Sequence, residues 1–107
     1  MPRTTNRDFW DHAAPRLASG ELEEGTIMGG PCLRSRGEFV AMPYHLAEGL
    51  VAKLPRERVA GLITAGVGFP FAPAGRPFRE WVLVTRYDPA LWDTLLAEAH
   101  AFATGGD

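Results

Sequence analysis

The stretch Thr26-Ile27-Met28-Gly29-Gly30-Pro31-Cys32-Leu33-Arg34-Ser35-Arg36-Gly37-Glu38-Phe39-Val40-Ala41-Met42 decides the fold. Three short apolar runs are separated by two glycine-containing pairs. Gly29-Gly30 reads as one turn, and Arg36-Gly37 reads as a two-residue hairpin loop across which Glu38–Met42 pairs back on Pro31–Ser35. Pro43–Glu48 is a connection and Gly49–Leu54 a further strand. Strands joined this closely pair with their sequence neighbours, so an antiparallel meander is expected.

Helices flank this block. Upstream, Asn6 is placed to cap a helix whose apolar face is Phe9, Ala13 and Leu17. Pro15 lacks an N–H and crowds the carbonyl of Asp11, which predicts a kink or two short turns, and Ser19-Gly20 ends the element. Downstream, Pro55 suits a helix start, Val59, Leu62 and Ile63 form a stripe, and Gly66 is positioned as a C-terminal cap. Val67–Pro77, rich in Gly, Pro and Phe, reads as a loop anchored by buried aromatics. Trp81-Val82-Leu83-Val84 reads as a strand covered on both faces. Asp88-Pro89 opens a last helix, with Leu91, Trp92, Leu95, Ala99 and Phe102 along one face and Gly105 at its end. The order α-β(3-4)-α-β-α predicts an α+β domain, an antiparallel sheet of about five strands with helices packed on it.

The 107 residues fit one domain, 1–107, with its core at about 6–103. Hydrophobic residues make up 46% and charged residues 22%, which excludes disordered and fibrous classes. The longest uncharged stretch, Val59–Gly75, is broken by four glycines and two prolines, so no membrane span is expected. Met1–Phe9 carries arginines with no apolar region after them and does not read as a signal peptide. A single cysteine, Cys32, excludes an internal disulfide, and the cytoplasm is the expected compartment.

The net charge of −2 is unevenly spread. Residues 8–24 hold five acids against Arg16, residues 25–86 hold eight bases against four acids, and four acids follow from Asp88. A basic middle between acidic ends can present one basic face, or simply a solvated sheet. Ten of the eleven basic residues are arginine, a bias that GC-rich coding also produces.

No catalytic constellation emerges. Cys32 has no His or second Cys at a reactive spacing and reads as a structural thiol. His12, His45 and His100 lie on different elements. Asp8 with His12 offers two ligands, too few for a closed metal site, and a surface pair is the simpler reading. Gly25, Gly29 and Gly30 precede a strand rather than the Lys-Ser/Thr helix start that a phosphate loop needs. Arg79-Glu80-Trp81 is the densest polar-aromatic cluster; Glu80 has Arg34 or Lys53 as expected ion-pair partners. Asp88, Asp93 and Glu98 read as an exposed helix face. Neither a cofactor nor a metal is expected.

The run Glu24–Leu33 resembles the opening of TfoX N-terminal-like domains, and the resemblance continues through Gly37–Met42, Val51–Pro55, Arg58-Val59, Gly75–Val82 and the Asp88-Pro89 helix with Trp92. It spans about residues 21–103. It implies an α-β(3)-α-β(2)-α fold similar to secretion chaperones and YjbR-like proteins. The full-length namesake regulates bacterial competence and carries a second domain that this chain does not extend into, so that role is not implied. The family supplies no catalytic residues to carry over.

The expected function is therefore a small bacterial, non-enzymatic regulatory or protein-interaction domain, with an unknown protein partner or a homodimer. The candidate binding residues are Arg34, Arg36, Lys53, Arg76, Arg79 and Trp81. Nucleic-acid binding through Arg34, Arg36, Arg56, Arg58 and Arg79 is an alternative, opposed by an isoelectric point near 5.9. Another is a small-anion or metabolite pocket under the 67–77 loop, walled by Phe69, Phe71 and Phe78, with Arg76 or Arg79 holding the anion.

Overall fold

A computed structural model describes residues 7–44 and 49–105. Helix α1 (Arg7–Ser19) leads into four strands, β1 (Glu23–Ile27), β2 (Gly30–Ser35), β3 (Glu38–Pro43) and β4 (Leu50–Lys53). Helix α2 (Arg56–Thr64), β5 (Phe69–Pro70), β6 (Trp81–Val84) and α3 (Pro89–Ala103) follow. All strands pair antiparallel in one open sheet of order β1-β2-β3-β4-β6-β5. The chain is thus an α+β domain, with six strands where about five were expected.

The additional strand is β5, within the stretch read as loop. Only Phe69 and Pro70 pair, with Leu83 and Val82, too short a run to leave an alternating pattern. Phe69 is 51% exposed and is not a buried anchor. The first hairpin turn lies one residue earlier than Gly29-Gly30. Met28 and Gly29 take left-handed φ values of 52° and 79°, and Gly30 already pairs with Ile27. The second turn is Arg36-Gly37 as expected, with φ 54° and 83°. Two left-handed residues match the right-handed twist of the strands they join.

Helix α1 continues through Pro15 rather than breaking there. Pro15 sits on the exposed side, where water can take the Asp11 carbonyl that the ring leaves unbonded. The Asn6 cap lies outside the described residues. Pro55 precedes α2 as its N-cap, with ψ 145° and no side-chain hydrogen bond to the helix. Asp88 caps α3, its carboxylate accepting from the Leu91 N–H at 3.2 Å.

The helices cover one face of the sheet. Leu33, Val40, Ala41, Leu50, Ala52, Val82 and Val84 point toward them and meet Phe9 and Ala13 of α1, Val59 and Leu62 of α2, and Trp92, Leu95, Leu96 and Ala99 of α3. Each aliphatic side chain fully removed from water here contributes about 1.5–3 kcal/mol, so this face dominates stability. Trp92 satisfies its indole N–H on the Arg86 carbonyl at 3.0 Å. Arg16 ties α1 to its surroundings, reaching Glu21 at 2.5 Å and Asp93 at 3.0 Å. Partial desolvation opposes its charge, but hydrogen bonds to both carboxylates outweigh that and raise its pKa.

Register is not uniform. Leu33 faces Ala41 while Arg34 faces Phe39, so Val40 is an extra residue in β3. Val40 and Ala41 therefore both face the helices, whereas Phe39 and Met42 turn to the other side.

That other side has no helix among the described residues. Its apolar residues, Cys32, Phe39, Met42 and Val51, are covered by the chain between β5 and β6, which inserts Phe71. Phe71 stacks on Trp81 with centroids 5.6 Å apart, and Trp81 stacks on Phe39 at 4.2 Å. Phe78 meets Trp81 edge-on at 5.2 Å. Among the described residues no helix is long and apolar enough to cross a membrane.

Candidate functional site

The six expected binding residues separate into several places. Lys53, Arg79 and Trp81 come together. Lys53 is the last residue of β4 and Trp81 the first of β6, paired directly across the ladder. Side chains alternate along a strand, so both emerge on the helix-free face. Arg79 and Glu80 form the turn before β6, which is fastened by hydrogen bonds from the Trp81 N–H to the Phe78 carbonyl at 3.0 Å and from the Leu54 N–H to the Glu80 carbonyl at 2.8 Å.

These residues line a groove of about 560 Å³ with Pro55, Arg56, Glu57, Phe78, Glu80 and Phe102. One wall is the start of α2, the other is the 78–81 turn, and Phe102 of α3 closes an end. Lys53, Arg56 and Arg79 bring three positive charges, against two carboxylates from Glu57 and Glu80. None of the five side chains makes a hydrogen bond or ion pair within the described residues, so neither Arg34 nor Lys53 pairs with Glu80. The first turn of α2 adds backbone N–H groups that carry no side-chain cap, a further favourable field for an anion.

The remaining three residues lie elsewhere. Arg34 is spent on its own hairpins, donating to the Gly37 carbonyl at 2.9 Å and the Thr26 carbonyl at 2.9 Å. Arg36, in the β2–β3 turn, borders a second, smaller cleft of about 300 Å³ with Glu21, Glu23, Ser35 and His100. Arg76 is exposed in the loop over the sheet and lines neither. Of the wider arginine set, Arg58 is held by Glu98 through two hydrogen bonds, at 2.9 and 3.3 Å. The basic middle of the sequence therefore does not gather into one face.

The space beneath the 67–77 loop is occupied by Phe71, which is 4% exposed. The groove opens beside that loop and shares with it only Phe78 and Arg79 of the expected pocket walls.

The other candidate groups are otherwise engaged. Cys32 is fully buried; burial pushes its thiol pKa up against the pull of Arg34, so it resists ionisation. His12 shares a 2.8 Å hydrogen bond with the Tyr87 hydroxyl rather than pairing with Asp8. Slight desolvation raises the pKa of the exposed Tyr87, with the negative charges of Asp8 and Asp11 adding to it. His100 sits 3.5 Å from Glu21. His45 lies outside the described residues. No set of three or more His, Cys, Asp or Glu side chains converges on a metal site among the described residues.

Sequence reasoning names Lys53, Arg56, Phe78, Arg79, Glu80 and Trp81 but does not bring them to one place, and it leaves out Glu57 and Phe102. Phe102 reads as core on the α3 stripe, and Glu57 is unremarked in an ordinary helix. The usable signal is the Lys53-Leu54-Pro55 junction: a strand end just before a helix start places a lysine beside free N–H groups. Comparisons with protein families, with curated proteins and with solved structures find nothing that matches this chain.

Proposed function

We propose that the chain is a non-enzymatic protein-interaction module of the TfoX N-terminal-like class, which receives an acidic segment of a partner protein in the groove between α2 and the 78–81 turn. The observation that carries this reading is the convergence of Lys53, Arg56 and Arg79, without acidic partners among the described residues, on one groove floored by Trp81. The element order is α-β(4)-α-β(2)-α: it agrees with the resemblance in the two strands after α2 and departs from it in having four strands, not three, before α2, so the family assignment rests on the sequence resemblance alone.

Two features favour a peptide over a nucleic acid. Trp81 is stacked on Phe39 and Phe71, which leaves it poorly placed as a platform for bases. Glu57 and Glu80 accept hydrogen bonds from backbone N–H groups, which a peptide carries between its acidic side chains and a nucleic-acid backbone lacks. Self-association as a homodimer finds no contiguous apolar patch among the described residues. The exposed large apolar residues there are Met28, Phe69 and Tyr87, on the first hairpin, the far edge strand and the approach to α3.

The test is a titration of isotope-labelled protein with the capped peptide acetyl-Glu-Asp-Glu-Asp-amide, followed by amide chemical shifts. Shifts confined to residues 53–57 and 78–81, and lost in a Lys53→Gln/Arg56→Gln/Arg79→Gln variant, are the expected result. No saturable shift in those residues overturns the proposal. So does an equal response to inorganic phosphate, or tighter binding of a mixed-sequence DNA duplex.

A further inference from the structure

Strand β1 is one of the two edges of the sheet, and a sheet edge offers backbone groups to any extended chain. Which groups it offers follows from the first hairpin. A two-residue turn leaves its flanking residues, Ile27 and Gly30, as a mutually hydrogen-bonded pair. Bonding alternates along an antiparallel ladder, so the next pair, Thr26 and Pro31, turns its backbone groups away from the partner strand. The Thr26 carbonyl therefore faces the free edge, and Thr26 itself is exposed.

That carbonyl is already taken. The Arg34 side chain starts on β2, crosses the face of β1 and donates from Nη2 to the Thr26 oxygen at 2.9 Å, while Nη1 holds the Gly37 carbonyl at 2.9 Å. The crossing is possible because residue 25 is glycine. A Cβ at Gly25 would lie 2.8 Å from Cδ and 2.9 Å from Nε of Arg34, closer than such atoms approach. Gly25 does not have a left-handed φ, so its lack of a side chain serves the arginine rather than the backbone.

A second copy of the same strand is matched to this edge. An antiparallel two-fold pairing centred on Gly25 sets Glu23 against Ile27 and Thr26 against Glu24, so no two carboxylates face each other across the new ladder. Pairing in this register uses the Thr26 carbonyl of both copies. We propose that β1 is a latent self-pairing edge and that Arg34, lying across Gly25, keeps it shut by occupying the Thr26 carbonyl. Arg34 is then a guard against a second copy of the chain, not a contact for phosphate.

Two variants open the edge by independent routes. Arg34→Ala removes the guard, and Gly25→Ala displaces it while leaving the arginine in the chain. In both, sedimentation velocity over a concentration series is expected to show a dimer that the wild type does not form. The Thr26 amide is expected to exchange with solvent more slowly as concentration rises. Adding Thr26→Pro to Arg34→Ala removes an outward donor that the β1–β2 ladder does not use, and is expected to restore the monomer. Circular dichroism verifies that each variant is folded. Thr26 exchange independent of concentration in both folded single variants overturns the proposal, as does a dimer that persists with Thr26→Pro.

Discussion

The two faces of the sheet are closed by different means. The helix face is aliphatic and is covered by three regular elements, whose apolar stripes pack on Leu33, Leu50, Val82 and Val84. The other face is aromatic and is covered by an irregular segment held through Phe71, Phe78, Trp81 and Phe39. Helices distribute cohesion over many interchangeable contacts. A loop without its own ladder concentrates it in a few rings, and leaves an opening where the rings stop. The groove of Lys53, Arg56 and Arg79 lies at that boundary, where the aromatic cover ends against the start of α2.

By this contrast the largest effect belongs to the helix face. Trp92→Ala removes a fully buried ring and its bond to the Arg86 carbonyl, and is expected to cost about 3–5 kcal/mol of global stability in urea denaturation. Phe71→Ala is expected to cost about 3 kcal/mol, the low end for such truncations, and to do so locally. Limited proteolysis between Phe71 and Phe78 should accelerate before global unfolding, whereas Trp92→Ala should give no such early cut. Equal, purely global losses from both would erase the distinction between the faces.

A smaller effect tests how tightly β5 is fitted. A Cβ at Gly68 would lie 2.5 Å from Cγ2 of Val82, so Gly68→Ala is expected to cost about 1–3 kcal/mol through overpacking. Thermal unfolding measures it, and a neutral result would mean that the β5 edge shifts freely. Below this comes Arg58→Ala. Its pair with Glu98 is well formed but more than a third exposed on both sides, so a loss under about 1 kcal/mol is expected.

The smallest effect is one of pH. The Cys32 pKa is raised in the folded state, chiefly by burial. The unfolded chain therefore ionises first as pH rises. The stability tied to the neutral thiol is fully present below the ordinary thiol pKa, near 9.0, and declines as pH climbs from there toward the folded value. Denaturation midpoints of wild type and Cys32→Ala should converge above that pH. Wild-type stability that rises relative to the variant there would refute a buried neutral thiol.

Much of the helix face was readable in the residue order. Asp88-Pro89 and the Leu91–Phe102 stripe place α3 to within a residue, and Arg36-Gly37 marks its turn, because those signals are local. The aromatic face was less readable. Phe69-Pro70 carries no alternation, and its pairing depends on where Gly68 sits against Val82. At the first hairpin Met28 accepts a left-handed φ that a local reading assigns to glycine alone. The groove was half legible. Lys53 and Trp81 become neighbours through a ladder register set by every strand before it, and no spacing in the chain encodes that. The six expected binding residues part for the same reason: Lys53, Arg79 and Trp81 meet, while Arg34 bonds within its own hairpins, Arg36 borders the other cleft and Arg76 stays apart.

The bulge at Val40 has a further meaning for how such chains are compared. It shifts the parity of β3, so that Phe39 lies beneath the loop while the next two residues lie beneath the helices. A chain shorter by one residue at Val40 or Ala41 would return β3 to plain alternation and give up one side chain on the helix face, while Phe39, whose pairing is counted from the Arg36-Gly37 turn, and Met42 would keep their side. A single gap at that column of an alignment therefore marks a thinner helix face, and leaves the aromatic anchor of the loop, and the groove beside it, in place.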